Sequence, residues 1–563
     1  MKNILILGAG TGGSIIANIL CKKLPPDQFS ITVVDRSNIH YYQPGLLFIP
    51  FKLYGYESGD DIRKPVSHVL NQSVNFIQAD INLIDYKNNV VQTDKGELEY
   101  DWLISSMGCH IEPKEIEGCA EAMGNGVHTF YTLPDALAMQ KALEGMNTGH
   151  LVINIAELPI KCPVAPIEAA FLADYYFQQR NVRNNIEISL VTPYAGAFTK
   201  PNANRVLTNA ANEKNIHIIP EFSIQKVDNK AKKIQAYDGK TISYDMLCII
   251  PPTLGPEVLS RSGLANDMNY GLTDHRTLKS KKADNIYFIG DNADLPTSKA
   301  GSVSHFESET VVENLLREIE GEKALPSFDG HANCFIESGY HKAYLVDFNY
   351  DVEPLPGKFP LPYAGPFSLL EDTHINHLGK MAFKWAYWHL IVNGRLPDMP
   401  FVPSHMSLVG KNLKSTAVMH KTQSASVADV MTQNVITISQ GSPIHDAVML
   451  LDEQKISGVP VVNPDNEVIG IVTTADLVSA LDIDDESPLQ KLVAVLLRKG
   501  RDKKLGSIVD DIMSKDPVTI RPDESVQSAI ELMARCRINR LIVSQDSKKI
   551  EGILSRSDLL KVV

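Results

Sequence analysis

The sequence predicts an α/β protein: two βαβ halves, an amphipathic segment after them, and a duplicated α/β module at the end. Three observations predict it. A strand pattern at residues 3–7 runs into a glycine-rich turn and a helix, and a second strand pattern at 150–155 runs into another turn and helix. From about residue 424, two motifs recur at a constant offset of 82 residues. At 563 residues the chain exceeds one core, because single cores stop growing near about 250–300 residues.

Bulk composition narrows the function classes. A hydrophobic fraction of 44% and a charged fraction of 21% are ordinary for globular domains. The formal net charge of −13 argues against nucleic acid as a partner, since phosphate binding wants a basic field. Seven cysteines are too few and too scattered for a disulfide scaffold, and no pair has zinc-ligand spacing, so no metal is expected. The apolar start Met1-Lys-Asn-Ile-Leu-Ile-Leu7 is short and is broken at once by Gly8-Ala-Gly10, which fits a buried strand rather than a signal peptide. With no run of about 18 apolar residues, no membrane-spanning helix is expected.

The first turn is Gly8-Ala-Gly-Thr-Gly-Gly13. In the Rossmann-like βαβ context, Gly8 makes the tight turn, Gly10 lets backbone approach a pyrophosphate, and Gly13 lets helix and strand pack closely. The next strand pattern, Ile31-Thr-Val-Val-Asp35, ends in an acid placed for a ribose hydroxyl. Tyr100-Asp-Trp-Leu-Ile-Ser-Ser-Met-Gly108 and Asn285-Ile-Tyr-Phe-Ile-Gly-Asp291 are strands ending in small-residue turns. This order resembles the flavoproteins with two dinucleotide-type domains. The resemblance implies FAD, with Gly108, Gly290 and Asp291 closing around it.

The second turn, Ala156-Glu-Leu-Pro-Ile-Lys-Cys-Pro-Val-Ala-Pro-Ile-Glu168, holds no glycine. Its following strand, Glu187-Ile-Ser-Leu-Val-Thr192, ends without an acid. Both contacts that hold a pyridine nucleotide are missing, so this half is expected to have exchanged NAD(P)H for Cys162. Lys161 beside it is expected to favour the reactive thiolate. The best candidate for a thiol partner is Cys334, expected in a loop that leads into a strand at 342–348.

Here the residues reach a family. Residues 1 to about 400 resemble the sulfide:quinone oxidoreductases through Gly8–Gly13, Lys161-Cys-Pro-Val-Ala-Pro-Ile-Glu168, Gly290-Asp291, Pro296-Thr-Ser-Lys-Ala-Gly301 and the Cys334 segment running into Asp347-Phe-Asn-Tyr350. The resemblance implies that Cys162 and Cys334 form a redox disulfide against FAD, that hydrosulfide opens it to a persulfide, and that quinone takes the two electrons. A third cysteine found in many microbial members has no counterpart in Gly126-Val-His-Thr-Phe-Tyr-Thr132, which favours a two-cysteine mechanism and release of sulfur to a small acceptor. Two other readings stand beside this one: a type II NADH:quinone oxidoreductase, and a flavin redox sensor with a regulatory or dimerising tail.

The segment at 296–305 reads as a helix start whose dipole, aided by Lys299, stabilises negative charge on reduced flavin. Tyr363 and Phe367 are candidate quinone neighbours. From Leu378 the apolar and aromatic residues nearly encircle a helix, and Trp385, Tyr387 and Trp388 suit a membrane interface. The expected location is cytoplasmic, peripheral on the inner face of the membrane.

The terminal repeat pairs Met431 with Met513 and Asp476 with Asp558. A constant offset over separated motifs means duplication, and the repeats resemble a tandem pair of CBS domains. The resemblance implies an adenine nucleotide (AMP, ADP or ATP) held by Thr473, Asp476, Ser555, Arg556 and Asp558, and a homo-oligomer. The expected domains are 1–325 (FAD-dependent oxidoreductase), 326–410 (redox cysteine, quinone and membrane contact), 424–485 and 506–563 (the repeats).

Overall fold

A computed structural model describes residues 1–361, 365–395, 406–408, 411, 426–454, 456, 458–473, 476–477, 508–515, 517–536, 538, 540–546, 548–555 and 558. The chain divides into two compact units, Met1–Leu413 and Lys414–Val563. The predicted α/β architecture is present in both.

In the first unit, β1 (Lys2–Leu7) feeds α1 (Thr11–Lys23), which returns to β2 (Phe29–Asp35). These build a parallel sheet in the order Ile286–Phe288, Trp102–Ser105, β1, β2, Asn75–Gln78. The run Ile4–Leu7 is buried on both faces, as a central parallel strand requires. A second parallel sheet has the order Val127–His128, Met246–Ile250, β3 (Gly149–Ile155), β4 (Ile186–Val191), Ile216–Ile219. Between β3 and β4 runs α2 (Ala165–Gln179), whose alanines let it sink into the core from Ala165 to Asp174.

Cys334 lies in a strand rather than the expected loop. β5 (Ala332–Gly339) and β6 (Lys342–Phe348) form an antiparallel hairpin with Cys334 opposite Val346. The flanking glycines that signalled a loop, Gly330 and Gly339, mark the strand's two ends at positive φ (80° and 76°). Across the hairpin lies α3 (Gly301–Ile319), and α4 (His374–Ala386) is tied to it by an Ala343–Thr373 bridge.

Near the end of this unit, Lys411 inserts its ammonium beside the buried Asp347 carboxylate. His331 Nε2 (2.6 Å) and Asn333 Nδ2 (3.0 Å) meet the other oxygen. Burial alone would raise the Asp347 carboxyl, but Lys411 and His331 outweigh it and hold it well below the usual carboxylate range. A depressed carboxyl contributes stability above its unfolded value, so this contribution is full at neutral pH and fades only in strong acid. Lys411→Met strands a buried charge and is expected to cost about 3 kcal/mol. Tryptophan fluorescence in urea checks this, because Trp102, Trp385 and Trp388 all lie in this unit. The double change with Asp347→Asn should recover much of the loss.

The second unit holds two sheets. One orders Ile438–Ser439, Gly458–Val462, Val468–Thr473, Ser514–Lys515, and the other Thr519–Ile520, Arg540–Val543, Gly552–Ser555. The repeats exchange their opening segments: Ser514–Lys515 pairs with Gly470–Ile471, and Thr432 bridges Ile553. Any Cβ on Gly470 would lie 2.4 Å from Met513 Sδ, and one on Gly552 2.4 Å from Met431 Sδ. The 82-residue offset thus reappears as a reciprocal packing.

Candidate active site

The glycine turn is shaped from both sides. Gly8 sits at φ 101°, and a Cβ there would lie 2.3 Å from the Ser106 carbonyl oxygen. A Cβ on Gly13 would fall 1.9 Å from Gly8 O, whereas one on Gly10 meets nothing within 4 Å. The wall is therefore closed at Gly8 and Gly13 and open at Gly10, where α1 presents its first amides, as a bound pyrophosphate needs. Asp35 accepts from Ala9 N–H (2.7 Å) and Ser37 N–H (2.8 Å), which fixes it at the rim of that opening. These residues fit FAD, and FAD is the cofactor.

On the far side, Gly108 and Gly290 both take positive φ (70° and 68°). Between their strands stands Asn292, fully buried. Its Oδ1 accepts from Ser105 Oγ (2.9 Å) and Met107 N–H (2.6 Å), and its Nδ2 donates to Ser105 O (3.2 Å) and Ile289 O (2.9 Å). This residue, which the sequence reading passed over, staples the two strand ends that close around the cofactor. Its only signal is its place directly after Gly290-Asp291. The Gly290 amide donates to Glu307, whose carboxyl burial pushes up to about 7.

Lys299 is buried. Its ammonium donates to Asp291 O (2.9 Å) and Ala293 O (3.1 Å) and lies 3.8 Å from the centre of the Tyr270 ring. Burial lowers its proton affinity. It holds the Asp291 turn from within.

Cys162 adopts φ 52°, a left-handed geometry that costs a non-glycine residue on the order of 1–2 kcal/mol. The turn is held there by Cys162 N–H donating to Lys299 O (2.7 Å), Ala165 N–H donating to Cys162 O (2.9 Å), and Tyr131 O–H donating to Lys161 O (2.6 Å). Cys334 packs against the same core, and both are free thiols.

The two thiols share an electrostatic environment. Burial pushes the Cys162 thiol up, with Cys334 and Glu168 adding and Lys380 opposing. Burial raises Cys334 to about 11, against the pull of Ser302 and Lys380. The cation acting on both is Lys380 of α4, in a buried ion pair with Glu168 of α2 and 3.0 Å from Phe335 O. This corrects the expectation for Lys161, whose ammonium turns to Gln43 Oε1 (3.0 Å) and lies 3.9 Å from Asp291.

Of the quinone candidates, Phe367 packs edge-on to Phe335 (5.3 Å, 82°), the residue after Cys334. Tyr363 lies outside the described residues. The aromatic run on α4 and its continuation separates into two roles. Trp385 is 58% exposed, alongside Leu378 (64%) and Ile375 (50%). Tyr387 and Trp388 are buried, contrary to the interfacial reading. The Tyr387 hydroxyl bridges Thr11 Oγ1 (2.8 Å) and His40 Nε2 (2.7 Å), and Trp388 lies under Lys64 (4.6 Å). The polar end of the Tyr387 ring is thus claimed by Thr11, at the start of α1, and by His40. Among the described residues, no helix is long and apolar enough to cross a membrane.

In the second unit, Asp476 Oδ2 accepts from Thr473 N–H (2.8 Å) and Oγ1 (2.6 Å), and Ser514 Oγ reaches its Oδ1 (3.3 Å). Asp558 repeats the pattern with Ser555 N–H (2.9 Å), Ser555 Oγ (2.6 Å) and Thr432 Oγ1 (3.3 Å). Arg556 lies outside the described residues. Each Thr/Ser-x-x-Asp motif closes on itself and on the other repeat's opening segment.

Fold and site together define a flavoprotein with two dinucleotide-type domains, in which a thiol-bearing turn stands where the second nucleotide turn would be. Over 407 residues the chain is 27% identical to the mitochondrial sulfide:quinone oxidoreductase of Dictyostelium discoideum, covering 70% of this chain and 87% of that protein. Over 400 residues it is 25% identical to the Mus musculus enzyme of the same name, covering 69% and 86%. The sulfide:quinone oxidoreductase structure from Aquifex aeolicus superposes with a TM-score of 0.60 at 20% identity, over 72% of this chain and 96% of that one. Residues 427–483 and 509–563 match the family model of the CBS domain. The chain is an FAD-dependent oxidoreductase related to the sulfide:quinone oxidoreductases, with a pair of CBS domains at its C-terminal end.

Proposed function

We propose that the protein oxidises sulfide through a Cys162–Cys334 disulfide and FAD, and reduces a membrane quinone. The observation that carries this reading is that Cys162, in the turn that lacks the glycines for a pyridine nucleotide, and Cys334, on β5, both feel one buried Lys380–Glu168 pair. Hydrosulfide attacks one sulfur; the cystine S–S bond breaks, a persulfide S–S bond forms, and the other cysteine leaves as thiolate. Lys380 stabilises that thiolate, since a cation at close range offsets the burial that disfavours the charge. FAD, when bound between Gly8–Gly13, Asp35, Gly108 and Gly290-Asp291, supplies a two-electron carrier to the quinone. Phe367 and the exposed Ile375, Leu378 and Trp385 serve the quinone and membrane side.

In the same reading, the CBS pair binds an adenine nucleotide through Thr473, Asp476, Ser555, Arg556 and Asp558, and adjusts the oxidoreductase to adenylate level. A binding ligand would have to compete with, or share, the hydrogen bonds that Asp476 and Asp558 now accept. Titration calorimetry of the full chain with ATP, ADP and AMP tests this. Heat with one of them supports it; no heat and no thermal shift reduce the pair to a dimerising module.

Anaerobic stopped-flow spectroscopy tests the main reading. Sulfide should bleach the flavin and NADH should not. Bleaching by NADH alone sinks it, and bleaching by neither favours a redox sensor.

A further inference from the structure

Beside the thiols lies a row of titratable groups that the disulfide chemistry does not use. Glu337 on β5 is fully buried, and its amide donates to Glu168 Oε1 (3.0 Å). Its two carboxyl oxygens lie 3.0 and 2.9 Å from His377 Nδ1 on α4. The His377 ring is 5.2 Å from that of His341, edge to face at 87°. His341, in the turn of the β5–β6 hairpin, is exposed, and its carbonyl meets exposed His374 Nδ1 (2.7 Å). The titratable groups around Glu337 and His377 are Glu168 of α2, Tyr54 of the segment after β2, Lys380 and His374 of α4, Asp372 before it, and His341 of the hairpin.

We propose that Glu337 and His377 carry protons between the half-buried thiol pair, by way of the Lys380–Glu168 ion pair, and solvent at His341 and His374. This inference rests on the sulfide reading above. Each hydrosulfide oxidised to sulfane sulfur gives up two electrons and one proton; the electrons go to the quinone, and the proton leaves the persulfide S–H in a half-buried site. It cannot stay there, because an uncompensated charge in that interior is costly. Two features of the row suit it to transfer. Burial, with Glu168 adding and Lys380 opposing, raises Glu337 to about 8, while burial and the neighbouring cations lower His377 to about 4. At neutral pH a protonated carboxyl therefore faces a neutral imidazole, a contact that can pass a proton without burying a net charge. Glu337 in particular has an affinity near the operating pH, where a proton carrier works best.

The test uses the full-length holoprotein with sulfide and a soluble quinone. Glu337→Gln and His377→Ala should each lower steady-state turnover by about 10²-fold and remove the limb of the pH profile near 8. Glu337→Asp should keep most of the rate. Imidazole added to the buffer should restore His377→Ala several-fold, which a merely structural loss would not allow. Turnover within twofold of wild type with an unchanged pH profile overturns the relay. So does a loss that imidazole leaves untouched while flavin content falls. If wild type itself fails to bleach with sulfide, the functional reading fails first; if wild type bleaches and the variants match it, the relay alone fails.

Discussion

Cys162→Ser is expected to lose sulfide-driven flavin reduction by a factor of about 10³ or more, equivalent to about 4 kcal/mol of barrier, and Cys334→Ser the same. A serine hydroxyl fills nearly the volume of the thiol, so the fold and the flavin content should stay. What disappears is the bond that hydrosulfide opens: with either sulfur replaced, no disulfide can form, and the remaining thiol, raised by burial, holds its proton. Rapid mixing under anaerobic conditions reads the rate directly. Full activity in either variant would remove the disulfide mechanism while leaving the fold assignment intact.

The second large effect belongs to the glycine turn. Gly13→Ala places a methyl 1.9 Å from Gly8 O, a backbone atom of the neighbouring turn that cannot move without opening the β1–α1 junction. The purified variant is expected to be colourless. Gly10→Ala is the matched control, because that methyl meets no protein atom within 4 Å and the residue's φ of −73° suits alanine. It should fold as wild type yet bind FAD at least about tenfold more weakly, since only the approaching pyrophosphate would feel the methyl. Absorbance at the flavin band against that at 280 nm separates the cases. If Gly10→Ala binds FAD normally, the cofactor does not approach the backbone there.

The parts of the structure that were legible in the sequence are those set by near neighbours in the chain. The strand–glycine–helix run at 3–23, the missing glycines before α2 and the 82-residue repeat all depend on short spacings. What was missed depends on contacts far apart in sequence. Lys161 looked like the activating cation because it is adjacent to Cys162, but Lys380, on another helix, takes that place. Asn292 gives no periodic signal, only a position between two strand ends. Tyr387 and Trp388 show why an apolar helix face says that something covers it without saying what. A lipid and a protein surface bury the same area, and only the hydroxyl's partners, Thr11 and His40, decide between them. Cys334 was assigned to a loop because glycines stand at both ends of its strand.

The reciprocal packing of the C-terminal repeats has a consequence for how that unit can be divided. Met431 completes the wall beneath Gly552, and Met513 the wall beneath Gly470, so each half holds a piece of its twin's interior. A chain cut between them would release two fragments, each with a vacant seat and a displaced plug. Such fragments are expected to unfold singly and to reassemble on mixing. Damage to one half is therefore inherited by the other, and the smallest heritable unit of this module is the pair.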